Sequence, residues 1–469
     1  MKLPLNEGRQ TLAEAERAAG GPARVAVVKT KAEQALSGFF AEVAGALPGS
    51  GAVRAERQGA IARFEALGLP HRRIEAWKYT DLRNILKEAP PPAVGEAATV
   101  KAGALDAALG PLAEVDAIRV VFVDGVYVKE LSELDGMDGL AGSSLAAALD
   151  DENDAGAADL LRLQGRDDEA VLALNTAYAT DGAVLAIAKG AKLEKPLLLV
   201  YLRAGSERQL VSTRNVLSIG DGAEATVIEA FVALPGAAAD GQHNGATEIG
   251  VGEGARVTHL KYAVDAGEAM HLSNWLVDIG AGADYRGFQF TAGVALARNQ
   301  LAVTFKGEDA RIDISGVFLA RETQHIDTTM VVDHAVPACL SRELFKVVLE
   351  DEARGIFQGK VIVRPDAQKT DGKQMAQVLM LSPNAEFDSK PELEIYADDV
   401  VCGHGSTSAD LDEDLLFYCR ARGIPEAEAR SLLIESFVGE AFAKVEREDL
   451  REALTLMARR WFGDAKRSG

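Results

Sequence analysis

The alternation of apolar and polar positions divides the chain into three stretches with different periods. Residues 9–45 are rich in Ala, Glu and Arg, and Leu36, Phe39, Phe40 and Val43 recur at spacings of three and four, which predicts an amphipathic helix. A second helix is predicted over Ala55–Leu67, stopped by Gly68 with Pro70 just beyond. Pro90, Pro91 and Pro92 cannot continue a helix and read as a linker. Residues 119–128 place two apolar runs around Asp124-Gly125, the signature of a tight hairpin. The acidic, Ala/Gly-rich stretch from Asp135 to Asp168 reads as loops with short helices.

From about Ala183 the period becomes two. Runs such as Leu301/Val303/Phe305, Ile312/Ile314 and Leu393/Ile395/Ala397 alternate with polar residues, as half-buried strands do. A turn signature also recurs, ending in an alanine followed by a charged residue. It falls at Ala191, Ala223, Ala255, Ala283, Ala310, Ala353 and Ala385, at intervals of 32, 32, 28, 27, 43 and 32 residues. Near-regular spacing of this size predicts stacked rungs. A β-sandwich is the alternative, but it needs no repeating turn.

After Ser406 the helical period returns. Leu411, Leu415 and Cys419 share one face, which places Cys419 in a core, and Gly423 followed by Pro425 separates two helices. Leu433, Phe437 and Ala441 continue at spacing four, and a third helix is predicted over Arg447–Trp461. The expectation is a mainly β fold with helical ends. Residues 1–170 form an N-terminal helical region with a hairpin, 171–405 a solenoid core, and 406–469 a C-terminal helical domain.

Composition narrows the function. The 469 residues are 48% hydrophobic and 26% charged, enough to bury a sizeable interior. A net charge of −21 argues against nucleic acid and against an anionic membrane face as partners. Cys339, Cys402 and Cys419 are an odd, scattered set, so a reducing compartment fits better than a disulfide framework. The apolar run Val25–Val28 is too short for a signal core or a membrane span, and a soluble, cytoplasmic protein is expected.

No phosphate-cradling loop and no HExxH, CxxC or GxSxG motif is present. The one pairing with chemical content is Cys402-Gly403-His404. In an extended strand both side chains point to one side, roughly 6.5 Å apart. They could touch one soft metal ion or a small iron–sulfur unit, and Gly403 and Gly405 would admit a close partner backbone. The plainer reading is a small buried cysteine beside a surface histidine. His325 and His334, near Asp327 and Asp333, read as solvated strand positions ahead of metal ligands. His243 falls in a Gly/Asn-rich loop, His259 and His271 sit on separate strands without obvious partners, and Cys339 has no functional reading.

Several segments carry a resemblance to a known family: Lys390–Gly405 (KPELEIYADDVVCGHG), Leu416–Ile424 (LFYCRARGI), Arg72–Thr80 (RRIEAWKYT), Leu174-Asn175-Thr176, Thr180-Asp181-Gly182 and Leu193-Glu194-Lys195-Pro196. Together they resemble the SufB/SufD family, scaffold subunits of the Suf iron–sulfur cluster assembly system. SufB-type chains carry an acidic residue on each side of the equivalent histidine and a cysteine about one rung earlier. Here Gly403 and Gly405 flank His404 and Met375–Leu381 holds no cysteine, so the resemblance is to the SufD side. It implies a right-handed parallel β-helix between helical ends, pairing with a SufB-type subunit through the ends of the solenoids, or with itself when isolated. It also implies that a SufC-type ATPase docks on the C-terminal helices, where Tyr418, Arg422 and Phe437 are candidates. His404, with Cys402 beside it, would contribute to a transient iron–sulfur cluster shared with the partner. No catalysis and no permanently bound cofactor are implied. The competing class is a carbohydrate-active β-helix enzyme.

Overall fold

The computed structural model describes residues 28–134, 137–151, 156–162, 166, 168–265 and 267–464. In chain order the strands open with β1 (Ile118–Val123), β2 (Val126–Tyr127), β3 (Leu140–Ser144), β4 (Ala183–Ile187), β5 (Leu197–Arg203) and β6 (Leu210–Ile219). They continue with β7 (Glu224–Ala233), β8 (Gln242–Val251), β9 (Arg256–Val264), β10 (Met270–Ile279), β11 (Asp284–Ala292) and β12 (Leu296–Phe305). The last are β13 (Arg311–Ala320), β14 (His325–His334), β15 (Leu340–Leu349), β16 (Arg354–Val363), β17 (Asp371–Met380), β18 (Glu386–Ile395) and β19 (Val401–Ala409).

From β4 onward even strands stack into one sheet and odd strands into another, so each turn of the chain adds one strand to each. These neighbours pair in parallel, which makes the core a two-sheet parallel β-solenoid. The hairpin predicted at Asp124-Gly125 is present: β1 and β2 pair antiparallel, with both turn residues at positive φ. β1 also pairs in parallel with β5, so the hairpin begins the odd-strand sheet.

In-register pairing sorts residues into columns running along the solenoid. One inward-facing column reads Val227, His259, Gly287, Ile314, Glu343, Gln374, His404. The recurring alanine marks a corner of each turn. Gly222, Gly254, Gly282, Asp309, Ala338 and Lys369 take left-handed φ values, and the next residue is buried: Ala223, Ala255, Ala283, Ala310, Cys339 and Thr370. The 43-residue interval from Ala310 to Ala353 therefore passed over the Cys339 corner, and the next interval passed over the Thr370 corner, because Cys339 and Thr370 replace the alanine. Ala353 and Ala385 precede β16 and β18 and belong to the other sheet.

Cys339 is thus the small residue that its corner requires, and its buried thiol is pushed up to about 11. Cys339→Ala is expected to change the unfolding free energy by less than about 1 kcal/mol. Cys339→Leu should lose roughly 1–3 kcal/mol by overpacking, which urea denaturation would measure.

Helices clothe both outer faces, so most strands are buried on both sides. Against the even-strand sheet lie α1 (Lys31–Val43), α2 (Gly51–Leu67) and α3 (Ala170–Tyr178), contributing Leu36, Phe40, Phe64 and Tyr178 to a cluster that includes Leu210, Leu272 and Leu296. Of the helix predicted over 9–45, residues 9–27 lie outside the described residues. The described part starts at Lys31 behind a Thr30–Glu33 capping box. Asn175 on α3 donates to the carbonyls of Thr213 and Asn244, both at 2.9 Å, fastening the helix to β6 and β8.

The Trp-Lys-Tyr-Thr segment forms a clamp. Arg298 lies 4.0 Å over the Trp77 ring and donates to the Ala76 carbonyl and to Asp327. Thr80 donates to Asp327 and meets His325 Nε2 at 2.9 Å. That hydroxyl proton is committed to the carboxylate, so His325 is the donor to Thr80. Asp327 is completely buried and His325 half-buried, which corrects the reading of His325 as a solvated position. His334 is corrected likewise: it is buried with its ring 4.5 Å from Phe305. His334 shares the lumen face with Phe305, while His325 and Asp327 lie under the Trp77–Thr80 segment, and the alternation of one strand registers neither covering.

The C-terminal helices are α4 (Glu413–Ala421), α5 (Glu426–Phe442) and α6 (Glu448–Asp464). α5 and α6 cover the odd-strand sheet through Ile434, Val438, Phe442, Leu450 and Leu454. α4 instead lies against α5 and buries no residue. Leu415 is 51% exposed and Cys419 half-buried, so the apolar face on which Cys419 was placed in a core is open.

Candidate functional site at the open end of the solenoid

The last turn leaves both sheets unfinished. Among the described residues, β18 pairs only with β16 and β19 only with β17, so each presents a free edge of backbone donors and acceptors. Cys402 and His404 sit on β19, in register with Gly372 and Gln374 of β17. They share the inward face: Cys402 packs against the lumen core, and His404 is exposed because no further rung covers it. A Cβ on Gly403 would meet nothing within 4 Å, which leaves the outer face of this strand flat.

Burial pushes the Cys402 thiol up; a hydrogen bond from the Gly372 backbone opposes this, while Asp371 and Glu343 add to the rise. The thiol therefore stays protonated near neutrality and becomes a ligand only when a metal displaces the proton. Among the described residues no group of three or more His, Cys, Asp or Glu is placed to hold a metal ion, and Cys402 and His404 stand as a pair.

The solenoid interior is unusually polar in two places that the sequence reading did not single out. Around β7 to β12, Glu229 accepts from His259 Nε2 at 2.6 Å and from Thr247 at 2.9 Å, and His259 Nδ1 meets the Tyr285 hydroxyl at 2.9 Å. His259 stacks 3.7 Å from Trp275. Lys261 donates to Ser273 and Asn299, both at 2.5 Å, and burial lowers its ammonium to about 7. His259 thus has partners that sequence alone did not reveal. His243, expected in a loop, lies on β8, buried and stacked 5.4 Å from His271. Its Gln-His-Asn-Gly setting is loop-like in composition but strand in fact, since this part of the interior supplies polar partners such as Thr213, 3.0 Å from His243 Nε2.

The second polar region lies directly beneath His404 and holds Ser341, Glu343, Gln374 and Ser389. The available signal was parity. Along LSRELFKVVL the inward positions are Ser341, Glu343, Phe345, Val347 and Leu349, polar at one end and apolar at the other.

The C-terminal candidates separate. Tyr418 and Arg422 are exposed on and just after α4, with the guanidinium 3.4 Å over the ring. Phe437 packs into the cluster between α5 and the odd-strand sheet, with Lys346 Nζ 4.4 Å above it, so it faces the solenoid.

A helix-clad, two-sheet parallel β-solenoid ending in an unclosed rung with a Cys-x-His pair defines the class of protein. Residues 201–437 match the SUF system FeS cluster assembly, SufBD core domain, and residues 30–199 match the SufBD protein N-terminal region. The chain belongs to the SufB/SufD family of iron–sulfur cluster assembly proteins, and within it the chain is SufD-like. It is 33% identical over 390 residues to the iron-sulfur cluster assembly protein SufD of Escherichia coli, covering 82% of this chain and 87% of that one. A SufBD family protein of Synechocystis is 31% identical, covering 83% and 87% respectively. SufD of Bacillus subtilis is 27% identical over 63% of this chain and 67% of its own length. No helix among the described residues is long and apolar enough to cross a membrane.

Proposed function

We propose that this chain is a non-catalytic scaffold subunit that pairs with a SufB-type subunit through its last rung and presents His404, with Cys402, to a transient cluster built between them. The observation that carries the reading is the free edge at β19 bearing both side chains. An unpaired strand edge is a template for pairing with another chain, and a pair of ligands there is completed by a partner. The same edge supports self-pairing when the chain is alone. The exposed Leu415, Phe417 and Tyr418 of α4 supply an apolar surface for a SufC-type ATPase.

Co-expression with a SufB-type subunit and a SufC-type ATPase is expected to yield a complex containing all three chains. Recovery of this chain alone would sink the proposal. In that complex His404→Ala should leave assembly intact and lower iron and sulfide content at least tenfold. Wild-type iron and sulfide would remove His404 from the site.

A further inference from the structure

The inward columns change character in the last turns of the solenoid. Ile312, Ile314, Met330 and Val332 fill the lumen with apolar side chains up to β14. Beyond them, Ser341 follows Ile312 and Glu343 follows Ile314 in register, and Gln374 follows Glu343. From the opposite sheet Ser389 occupies the position paired with Phe357.

These groups are buried and unsatisfied. Glu343 and Gln374 are each 3% exposed, yet neither Glu343 oxygen and neither Gln374 amide atom has a hydrogen-bond partner. The hydroxyls of Ser341 and Ser389 are unpartnered as well, and Ser341 lies beside Glu343 without a well-formed bond. Gln374 reaches across the lumen, where a Cβ on Gly359 would sit 1.5 Å from its Nε2. On the other side, the missing side chain of Gly372 opens the space between Ser341 Oγ and Cys402 Sγ, 3.3 Å and 3.7 Å from where a Cβ would be.

Each unpartnered buried polar group costs about 1–3 kcal/mol. A carboxyl, an amide oxygen and hydroxyls, buried without partners on neighbouring rungs of the lumen, are the donor types that a small divalent cation takes, with the carboxyl giving up its proton. Neighbouring rungs are about 4.8 Å apart, so oxygens from Glu343 and Gln374 can share one ion at roughly 2.0–2.2 Å each. Oxygen donors of this kind accept ferrous iron as well as magnesium or manganese, and the cluster chemistry proposed at this edge selects iron.

We propose that Glu343, with Gln374 as second ligand, binds a ferrous ion inside the last turns of the lumen, behind Cys402 and His404. The inference rests on the reading that cluster chemistry takes place at this edge, and it adds a waiting position for the iron. A single carboxylate with neutral oxygens makes a weak, exchangeable site, as an ion in transit requires.

The test is anaerobic equilibrium dialysis of the purified full-length chain with Fe(II), with Co(II) absorption as a second readout. Wild type is expected to bind one ion that Glu343→Gln loses by at least tenfold and Gln374→Leu weakens, while His404→Ala keeps it. Circular dichroism establishes that each variant is folded. Equal Fe(II) binding by wild type and Glu343→Gln overturns the proposal, as does binding that depends on His404 and not on Glu343. If the Glu343 dependence holds but His404→Ala leaves cluster content of the three-chain complex unchanged, the scaffold reading fails and the iron site stands.

Discussion

Asp327→Ala is expected to lower the unfolding free energy by roughly 3–5 kcal/mol, because it leaves the Arg298 guanidinium buried without its counter-charge. Both side chains are completely buried, and Asp327 also accepts from Thr80. The substitution therefore removes the carboxylate from three structural elements at once: β12, β14 and the Trp77–Thr80 segment. The Thr80 hydroxyl loses its acceptor, and Arg298 keeps only the Ala76 carbonyl and the face of Trp77. Urea denaturation should show the shift, and limited proteolysis should cut first in the segment around residues 70–90. Asp327→Asn keeps an acceptor but not the charge and should fall between. A loss below about 1 kcal/mol in Asp327→Ala would mean that the clamp does not hold the N-terminal segment to the solenoid.

Glu343→Gln is expected to have a stability effect that depends on pH. Burial pushes the carboxyl from its ordinary 4.5 up to about 8, partly opposed by Ser341 and Arg342 and reinforced by Asp313. The folded chain therefore holds a proton that the unfolded chain releases. The carboxyl's contribution is fully present below about pH 4.5 and is lost as pH rises toward 8, by at most about 1.4 kcal/mol per pH unit. Glutamine has no such proton. With chelator present, the stability of Glu343→Gln relative to wild type should rise by about 2–3 kcal/mol between pH 5.5 and 8.5. Lys261, pushed down to about 7, contributes the opposite slope above that pH, but equally in both proteins, so the difference isolates Glu343. A difference that stays flat with pH would place the carboxyl in contact with solvent or a counter-ion.

Much of this architecture was legible in the residues. Alternation from Ala183 onward and the left-handed corner before each small residue express rules that act over a few residues, so sequence carries them directly. Where the corner residue was Cys339 or Thr370 in place of alanine, the pattern was lost, since the corner selects for small size and burial rather than for one residue type. Cys402 and His404 were recognisable as a pair because their relation is local to one strand. Glu343 and Gln374 were not, because 31 positions separate them in the chain and only parallel pairing makes them neighbours. His325 was misread for the same reason, since its partner is Thr80 and the Asp327 beside it pairs with Arg298.

The sequence by itself determined that the chain winds as stacked β rungs, that helices flank them, and that a Cys-x-His pair ends the series. Local steric rules, residue spacing and the family motifs suffice for each. Only the tertiary structure decided which faces of those rungs are covered, that α4 keeps its apolar face open, and that polar side chains converge inside the lumen beneath His404. Those features depend on register between strands about 30 residues apart and on helices packed from distant segments. Burial is a property of the assembled layers, and no single stretch of the chain contains it.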